Sequence, residues 1–267
     1  MRSLFLFVAG AVAVSAQPSN WDLPSSGATL TLDYERPLLD RGADFGIITS
    51  AWSLGVAYPV TPAVRLVGEL PFAFASADLD GGYVNGAALG NIQIGAEVDG
   101  ATAPVNVGAY LRVPTASESG DLGGDAQGIG LLADYEQFGA FQEEVATFAV
   151  KVEGLPTASD GLSFRLRAVP QLLFATGGGG SDAELFVGYA ARAIFDTGRA
   201  RIAGGFSGIS IVTEDPDERH EVSIGVVADT ELSRSFRLGA TGRVPVIGNV
   251  DEVVNGVIGV RLVYGGL

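Results

Sequence analysis

The sequence predicts an all-β protein: a transmembrane, antiparallel, up-and-down β-barrel of about twelve strands. Three observations predict this fold. Apolar side chains alternate with small or polar ones along most of the chain, and the connections between the alternating segments are in turn long and short. The mean hydropathy is positive, at +0.32, although the chain carries 31 acidic residues and only 16 basic ones. Alternation predicts strands with unlike faces, and unequal connections at the two ends are typical of membrane barrels.

Composition excludes several classes of function. A net charge of −15 argues against nucleic-acid binding, which needs a basic surface. The chain contains no Cys, so disulfides, thiolate chemistry and zinc sites with Cys ligands are excluded. A single histidine, His220, excludes most catalytic and metal-binding arrangements that need imidazole. We therefore expect no cofactor and no metal site.

Residues 1–16 predict a secretory signal peptide. Arg2 precedes an apolar run over residues 4–14, and small residues up to Ala16 mark the cleavage position. The run is too short to cross a bilayer as a helix, which needs about 20 apolar residues. Residues 17–267 then form one outer-membrane barrel domain. The alternative for the N-terminus is a buried strand or helix.

The strands are predicted wherever the period of two persists. The apolar faces are formed by Trp52, Leu54, Val56 and Tyr58 in the second strand, Ile92, Ile94 and Val98 in the fourth, Val105 and Val107 in the fifth, and Ile258, Val260 and Leu262 in the last. Twelve strands follow, at residues 28–35, 49–59, 64–74, 90–98, 104–114, 144–153, 162–174, 184–195, 200–211, 219–229, 235–245 and 255–264.

The connections fix the predicted topology. The long ones are residues 36–48, 75–89, 115–143, 175–183, 212–218 and 246–254, and the short ones are 60–63, 99–103, 154–161, 196–199 and 230–234. The short turns and both termini then lie on the periplasmic side, with the long loops outside. Residues 128–136 could form a thirteenth strand, but an odd number would reverse the alternation downstream. We therefore place them in the third long loop, with a short helix; a fourteen-stranded barrel is the alternative.

Alternation alone does not distinguish a membrane barrel from a soluble sandwich or lipocalin-like barrel, whose apolar face is inside. The signal peptide, the positive hydropathy and the unequal connections favour the membrane barrel. Aromatic residues support it, because Tyr34, Trp52 and Phe72 lie near the loop ends of their strands and Phe236 and Tyr264 near the turn ends. Aromatic side chains gather at the two membrane interfaces in this way.

Two neighbouring strands resemble a known group of proteins. Gly90, Asn91 and Gly95 match a strand with the pattern Gly-Asp/Asn-x-x-x-Gly. Pro114 and Thr115 match the Pro-Thr-Gly that ends the next strand, with alanine in place of the final glycine. The stretch is similar to the strand–turn–strand of porin-like outer-membrane "transporter" barrels of Gram-negative bacteria. The resemblance implies an outer-membrane pore or solute channel.

Charged residues are sorted along the predicted barrel axis. The six long connections hold seventeen acidic residues and two basic ones, whereas the inward faces near the turns are mainly basic. The predicted pore-lining residues are Arg65, Arg112, Lys151, Arg165, Arg167, Arg192, Arg201, Arg237, Arg243, Arg261, Glu69 and Glu97. They form either an electrostatic profile that guides ions and solutes or an internal ladder of salt bridges. The acidic loops are also candidates for binding divalent cations.

The third long loop, 115–143, holds six acidic residues. Large general porins fold such a loop into the lumen, which is an analogy of fold. An inward loop would bring Asp121, Asp125 or Asp134 opposite a basic wall formed by Arg165, Arg167, Arg192 and Arg201. A loop that stays outside leaves an uncompensated basic belt, which predicts a mild preference for anions. We favour the outside position.

The predicted function is the passive passage of small polar solutes or ions across the outer membrane, through a barrel in contact with membrane lipids. We expect no enzymatic activity. One alternative is a structural or adhesive barrel without transport. Another is an outer-membrane hydrolase in which His220 acts with Glu218, or with Asp78 and Asp80, to activate water.

Overall fold

Twelve antiparallel strands form a closed barrel. The computed structural model describes residues 21, 23, 27–39, 49–79, 82–100, 104–177, 183–213 and 220–265. The predicted signal peptide, residues 1–16, lies outside the described residues. The strands are β1 (Thr29–Leu39), β2 (Ser50–Pro59), β3 (Val64–Leu79), β4 (Gly82–Leu89), β5 (Gln93–Asp99), β6 (Val105–Arg112), β7 (Ser117–Gly120), β8 (Val145–Gly154), β9 (Thr157–Ser159), β10 (Leu162–Ala175), β11 (Ala183–Asp196), β12 (Ala200–Ile211), β13 (His220–Ser233), β14 (Phe236–Ile247) and β15 (Val254–Gly265).

The wall consists of all these strands except β4, β7 and β9. Each wall strand pairs with the next wall strand along the chain, and β1 pairs with β15 to close the barrel. Long and short connections alternate around it as predicted, and both ends of the wall lie on the side of the short turns. The predicted barrel of twelve strands is therefore confirmed. No helix in the described ranges combines the length and the apolar character needed to cross a bilayer.

The second long connection, residues 75–89, differs from the prediction. It is not a loop, because β3 continues to Leu79 and returns as β4 in a regular antiparallel pair. A strand needs about 9–11 residues to cross a membrane, and β3 has 16, so this hairpin extends beyond the wall. Residues 90–92 then connect β4 to β5, and the fourth wall strand begins at Gln93 rather than at residue 90.

The third long connection contains helices, and residues 128–136 form no strand. Helix α1 (Gly123–Ala133) is followed by a 3-10 helix over Tyr135–Ala140; a second 3-10 helix, Val250–Glu252, lies before β15. Ala126, Ile129 and Ala133 recur at intervals of three and four residues and are all buried. This spacing gives α1 one apolar face, which a strand would have divided between two faces.

The outer surface of the wall is apolar. Exposed side chains include Ile94, Val107, Phe206, Ile224, Val226 and Val260, and the exposed fraction reaches 60% at Val226. Aromatic rings lie near both ends: Tyr34 and Trp52 have ring centroids 5.0 Å apart, and those of Phe236 and Tyr264 are 4.9 Å apart. Charged side chains point inward instead, so the soluble alternatives, whose apolar face is inside, do not describe this barrel. An outward apolar band with aromatic rings at its edges is the surface that contacts lipid.

Candidate functional site: the occupied lumen

Helix α1 lies inside the barrel, so the expected position of the third loop outside was wrong. Its buried face packs on alanine side chains from the wall, and the resulting apolar cluster contains Ala51, Ala73, Ala75, Ala88, Ala126, Ile129, Ala133, Ala140 and Phe141. The small inward side chains of β2, β3 and β4 leave space at the loop end of the barrel. Burying the apolar face of α1 there removes it from water, which stabilises the inward position.

Trp21 and Leu23, which precede β1, also lie in the lumen. Trp21 is only 1% exposed, and the Arg192 guanidinium carbon lies 5.6 Å from its ring centroid. The Trp21 indole N–H donates to Glu136 Oε1 at 3.3 Å, which links this segment to the third loop. Leu23 packs against Ile194, Ala203 and Val227. The sequence offered no periodic pattern before β1 that would have predicted either contact.

Three carboxylates near the short turns each bind two basic side chains. The groups are Glu97 with Arg65 and Lys151, Glu153 with Arg165 and Arg167, and Asp229 with Arg201 and Arg237. In the second group, Glu153 Oε2 lies 2.7 Å from Nε of both arginines. An ionised carboxylate offers about four acceptor positions and can therefore serve two cations. Each carboxylate balances one of its two bases, so every group keeps a formal charge of +1 and the basic wall predicted from the sequence is only half neutralised.

Glu97 is the most completely buried of the three. Its Oε1 accepts from Lys151 and also from the Tyr110 hydroxyl, the latter at 2.5 Å. Tyr110, Lys151 and Glu97 are all almost inaccessible to solvent. Buried ion pairs rarely add net stability over apolar packing because desolvation costs several kcal/mol per ion. Stability alone therefore does not explain why this group of charges is buried.

Arg243 joins the wall to the end of helix α1. Its guanidinium donates to Glu35 Oε2 at 2.9 Å and to the backbone carbonyl of Ala133, in the last turn of the helix. It also lies 3.9 Å from the Asp134 carboxylate and 5.5 Å from the Tyr135 ring centroid. A cation is stabilised at a helix C-terminus by the helix dipole. Burial raises the pKa of Asp134 despite this neighbouring arginine.

The other inward charges are paired in the same way. Arg112 donates to Gln93 Oε1 at 2.8 Å and contacts Glu69 at 3.3 Å and Gln137 of the third loop. Arg261 donates to Asp33 across the β1–β15 pair. Eleven of the twelve predicted pore-lining residues form the ion pairs described above, and Arg192 is buried beside the Trp21 ring. That these residues line a pore stays a prediction.

The sequence analysis did not include Asp33 and Glu35 among the inward residues. Their signal was present, because both alternate with the apolar residues Leu32 and Tyr34 in β1. The predicted position of the loop acids also needs correction. Asp134 lies beside Arg243 rather than opposite the arginines of β10 to β12, while Asp121 and Asp125 are exposed.

Two small cavities remain along the inward face of β1. They share Asp33 and Glu35 as lining residues, and their volumes are about 20 and 30 Å³. The cavity nearer the loops also borders Glu69 and Asp134. A third, open cavity of about 410 Å³ lies at the loop end between α1 and the wall, lined by residues that include Glu184. Among the described residues, the lumen is therefore narrow along β1 and wider at its outer mouth, beside α1.

His220 lies away from the lumen, exposed at the loop end of β13. Its Nδ1 is 2.8 Å from the Ser210 hydroxyl on β12, a contact that the sequence analysis did not anticipate. Two predicted partners, Glu218 and Asp80, lie outside the described residues, and no hydrogen bond within the described ranges joins His220 to Asp78.

The acidic loops are only partly described. The acids outside the described residues are Asp40, Asp44, Asp80, Asp182, Glu214, Asp215, Asp217 and Glu218. Within the described residues, no cluster of three or more His, Asp and Glu side chains is arranged to hold a metal ion. Binding of divalent cations at the loops stays a prediction.

The closed wall, its outward apolar band and its charged interior define an outer-membrane β-barrel. No protein-family model and no curated protein matches the sequence. The fold is similar to that of an outer-membrane channel from Pseudomonas putida F1, with 17% identity, a TM-score of 0.61, and coverage of 94% of this chain and 99% of that one. It is also similar to the beta domain of the Bordetella autotransporter Brka, with 12% identity, a TM-score of 0.53, and coverage of 90% and 99%.

A third similar structure is LpxR from Salmonella typhimurium, with 12% identity, a TM-score of 0.52, and coverage of 89% of this chain and 100% of that one. Because these structures share the architecture across nearly their whole length, the predicted porin-like barrel of the Gram-negative outer membrane is confirmed as a fold. At this level of identity, the likeness extends to the fold alone.

Proposed function

We propose that the protein is an outer-membrane channel for small polar solutes and ions, narrowed by helix α1 and by the segment that contains Trp21. The observation that carries the proposal is the composition of the interior. A wall of charged, mutually bonded side chains surrounds a loop, and the ion pairs of that wall at Glu97, Glu153 and Asp229 involve no residue of the loop. Eight strands enclose a space that side chains alone can fill, whereas twelve leave a wider lumen that needs another occupant or stays open.

Two of the residual cavities carry carboxylates. Asp33 and Glu35 border both small cavities along β1, so an ion or solute that reaches them meets these two side chains. The anion preference predicted from the sequence assumed an uncompensated basic belt. That premise holds in part, because Glu97, Glu153 and Asp229 each balance one of two neighbouring bases and each group keeps one excess positive charge. Anion preference stays a prediction, to be decided by measurement.

Conductance of the purified, refolded full chain in a planar lipid bilayer tests the proposal. Discrete single-channel steps in potassium chloride support a channel, and the reversal potential in a salt gradient gives the ion preference. The matched control is the same preparation left unfolded, added in the same detergent. A folded barrel that shows no steps would contradict the proposal and favour the structural or adhesive alternative.

We also propose that the barrel acts without catalysis. The Ser210–His220 contact lies at the outer end of the wall, and no lumen residue contacts it among the described hydrogen bonds. His220→Ala should therefore leave conductance unchanged. Hydrolysis of an ester-linked lipid by the parent protein, abolished in His220→Ala, would instead support the hydrolase.

A further inference from the structure

The side chain of Asn91 lies between the two ends of the third loop. Asn91 is the second residue after β4 and is 0% exposed. Its Oδ1 accepts hydrogen bonds from the backbone N–H groups of Thr115 and Ala116, both at 2.8 Å. These residues begin the third loop, so one half of the amide fixes the point at which the chain leaves the wall.

The other half of the same amide fixes the end of that loop. Asn91 Nδ2 donates to the carbonyl oxygens of Gly139 at 2.9 Å, Gln142 at 2.6 Å and Val145 at 3.2 Å. The backbone N–H of Asn91 adds a bond to Ala140 O at 2.6 Å. The amide thus joins two chain segments that are more than twenty residues apart and that flank helix α1.

The neighbouring residues of the same sequence motif complete this junction. The Thr115 hydroxyl accepts from the Ile92 N–H at 2.9 Å and donates to Gly90 O at 3.1 Å. Gly90 has no room for a side chain, since an added Cβ would lie 2.6 Å from both Ala140 O and Pro71 Cγ. Three of the five residues that carried the resemblance to porin-like barrels, Gly90, Asn91 and Thr115, therefore form one hydrogen-bonded junction.

We infer that Asn91 is the positioning residue that holds the third loop inside the lumen and so sets the width of the channel. The inference rests on the proposed channel function for its effect on transport. The contacts of α1 with the alanine side chains around it are apolar and without direction, and Arg243, Arg112 and Trp21 each bond to a single point in the middle of the loop. The amide of Asn91 differs from these side chains because it bonds to both ends of the loop. Fixing both ends lowers the entropy that the loop loses on docking.

Asn91→Asp separates the two halves of the junction. Aspartate has nearly the same shape and keeps the acceptor for Thr115 and Ala116, but it replaces the donor by an oxygen facing three carbonyl oxygens. We expect the loop to leave the lumen and single-channel conductance to rise at least about twofold, because pore width controls ion passage. Asn106→Ala is the control, since Asn106 is another buried inward amide, bonded to Asp99 at 2.9 Å and remote from the loop. Its conductance should match the parent.

A disulfide provides the converse test. A Cβ at Gly139 would lie 3.5 Å from Thr147 Cβ on β8, within the range that disulfides span. The pair Gly139→Cys and Thr147→Cys, introduced into the Asn91→Asp protein, should restore parental conductance when oxidised and lose that restoration when reduced. The native chain has no Cys to interfere.

The accessibility of a cysteine on α1 to a thiol reagent tests the inference even if the protein shows no conductance. Ala126, on α1, is 0% exposed, so Ala126→Cys should resist a thiol reagent in the parent background and react in the Asn91→Asp background. A parent without conductance but with this difference would refute the channel and leave the role of Asn91 standing. Equal labelling and equal conductance in a folded Asn91→Asp barrel would overturn the inference. If Asn91→Asp fails to fold, Asn91→Ala is measured in the same way. Increased labelling of Cys at position 126 and increased conductance would support the inference, and values equal to the parent would overturn it.

Discussion

An arginine placed on the apolar outer surface should lower the free energy of unfolding, and the loss should be largest at the middle of the bilayer. Val226 is the central outward residue of β13: it pairs with Gly204 on β12 and Gly242 on β14, which also lie near the middle of their strands. Val226→Arg should destabilise the barrel by about 2–4 kcal/mol, the cost of arginine at the midplane of a bilayer. At about 1.4 kcal/mol per factor of ten, the ratio of folded to unfolded protein falls roughly 30- to 1000-fold.

The matched control is a second exposed valine at the edge of the band. Val60 is 55% exposed, close to the 60% of Val226, but it lies in the short turn between β2 and β3. Val60→Arg should cost no more than about 1 kcal/mol because the side chain reaches the interface. Both variants are unfolded in guanidinium chloride in lipid vesicles, and the fluorescence of the two tryptophans is recorded. Costs that agree within about 0.5 kcal/mol would refute the assigned depth of β13.

Three further predictions concern the lumen and the loops. Replacing Arg165, Arg167 and Arg192 together by Ser removes three positive charges and leaves Glu153 without its two arginines. The reversal potential in a salt gradient should therefore move toward cation preference. An unchanged reversal potential in a folded variant would count against a role for these arginines in ion selectivity. Asp125→Cys should react with a membrane-impermeant thiol reagent on intact cells, and reaction only after lysis would reverse the topology. Burial raises the pKa of Asp134, so the inward loop binds a proton more readily than a displaced loop would. Lowering the pH through that pKa therefore stabilises the inward position, which narrows the lumen, and conductance should fall. Asp134→Asn should remove this dependence on pH.

The strands of the wall could be predicted because each strand is determined by the pattern of residues within its own segment. A period of two identifies each strand and its inward face, and unequal connections give the even number of strands. The prediction was less accurate where local rules allow two structures. Residues 75–79 and 82–89 read as a loop because they are rich in Gly and Ala, yet they pair in a hairpin whose small side chains make room for α1.

The pairing of charges could not be predicted because it depends on the register between strands. Arg167 is directly opposite Glu153 in the β8–β10 pair, and Arg165 reaches the same carboxylate from two residues away. A shift of two residues would leave the faces unchanged and yet give Glu153 a different partner. The inward loop and Trp21 were missed for a related reason, since their contacts join distant segments that no periodic pattern connects.

The β1–β15 pair has a consequence for how the barrel is assembled. Eleven residue pairs form this seam, from Thr29 with Gly265 to Leu39 with Val254. It joins the two ends of the wall, so its closure loses the most chain entropy and should come last. A slip of one residue would turn Arg261 away from Asp33 and toward hydrocarbon, at a cost that favours reopening. The position of Arg261 therefore favours one register of the closing seam, because only that register keeps the guanidinium in the lumen beside Asp33.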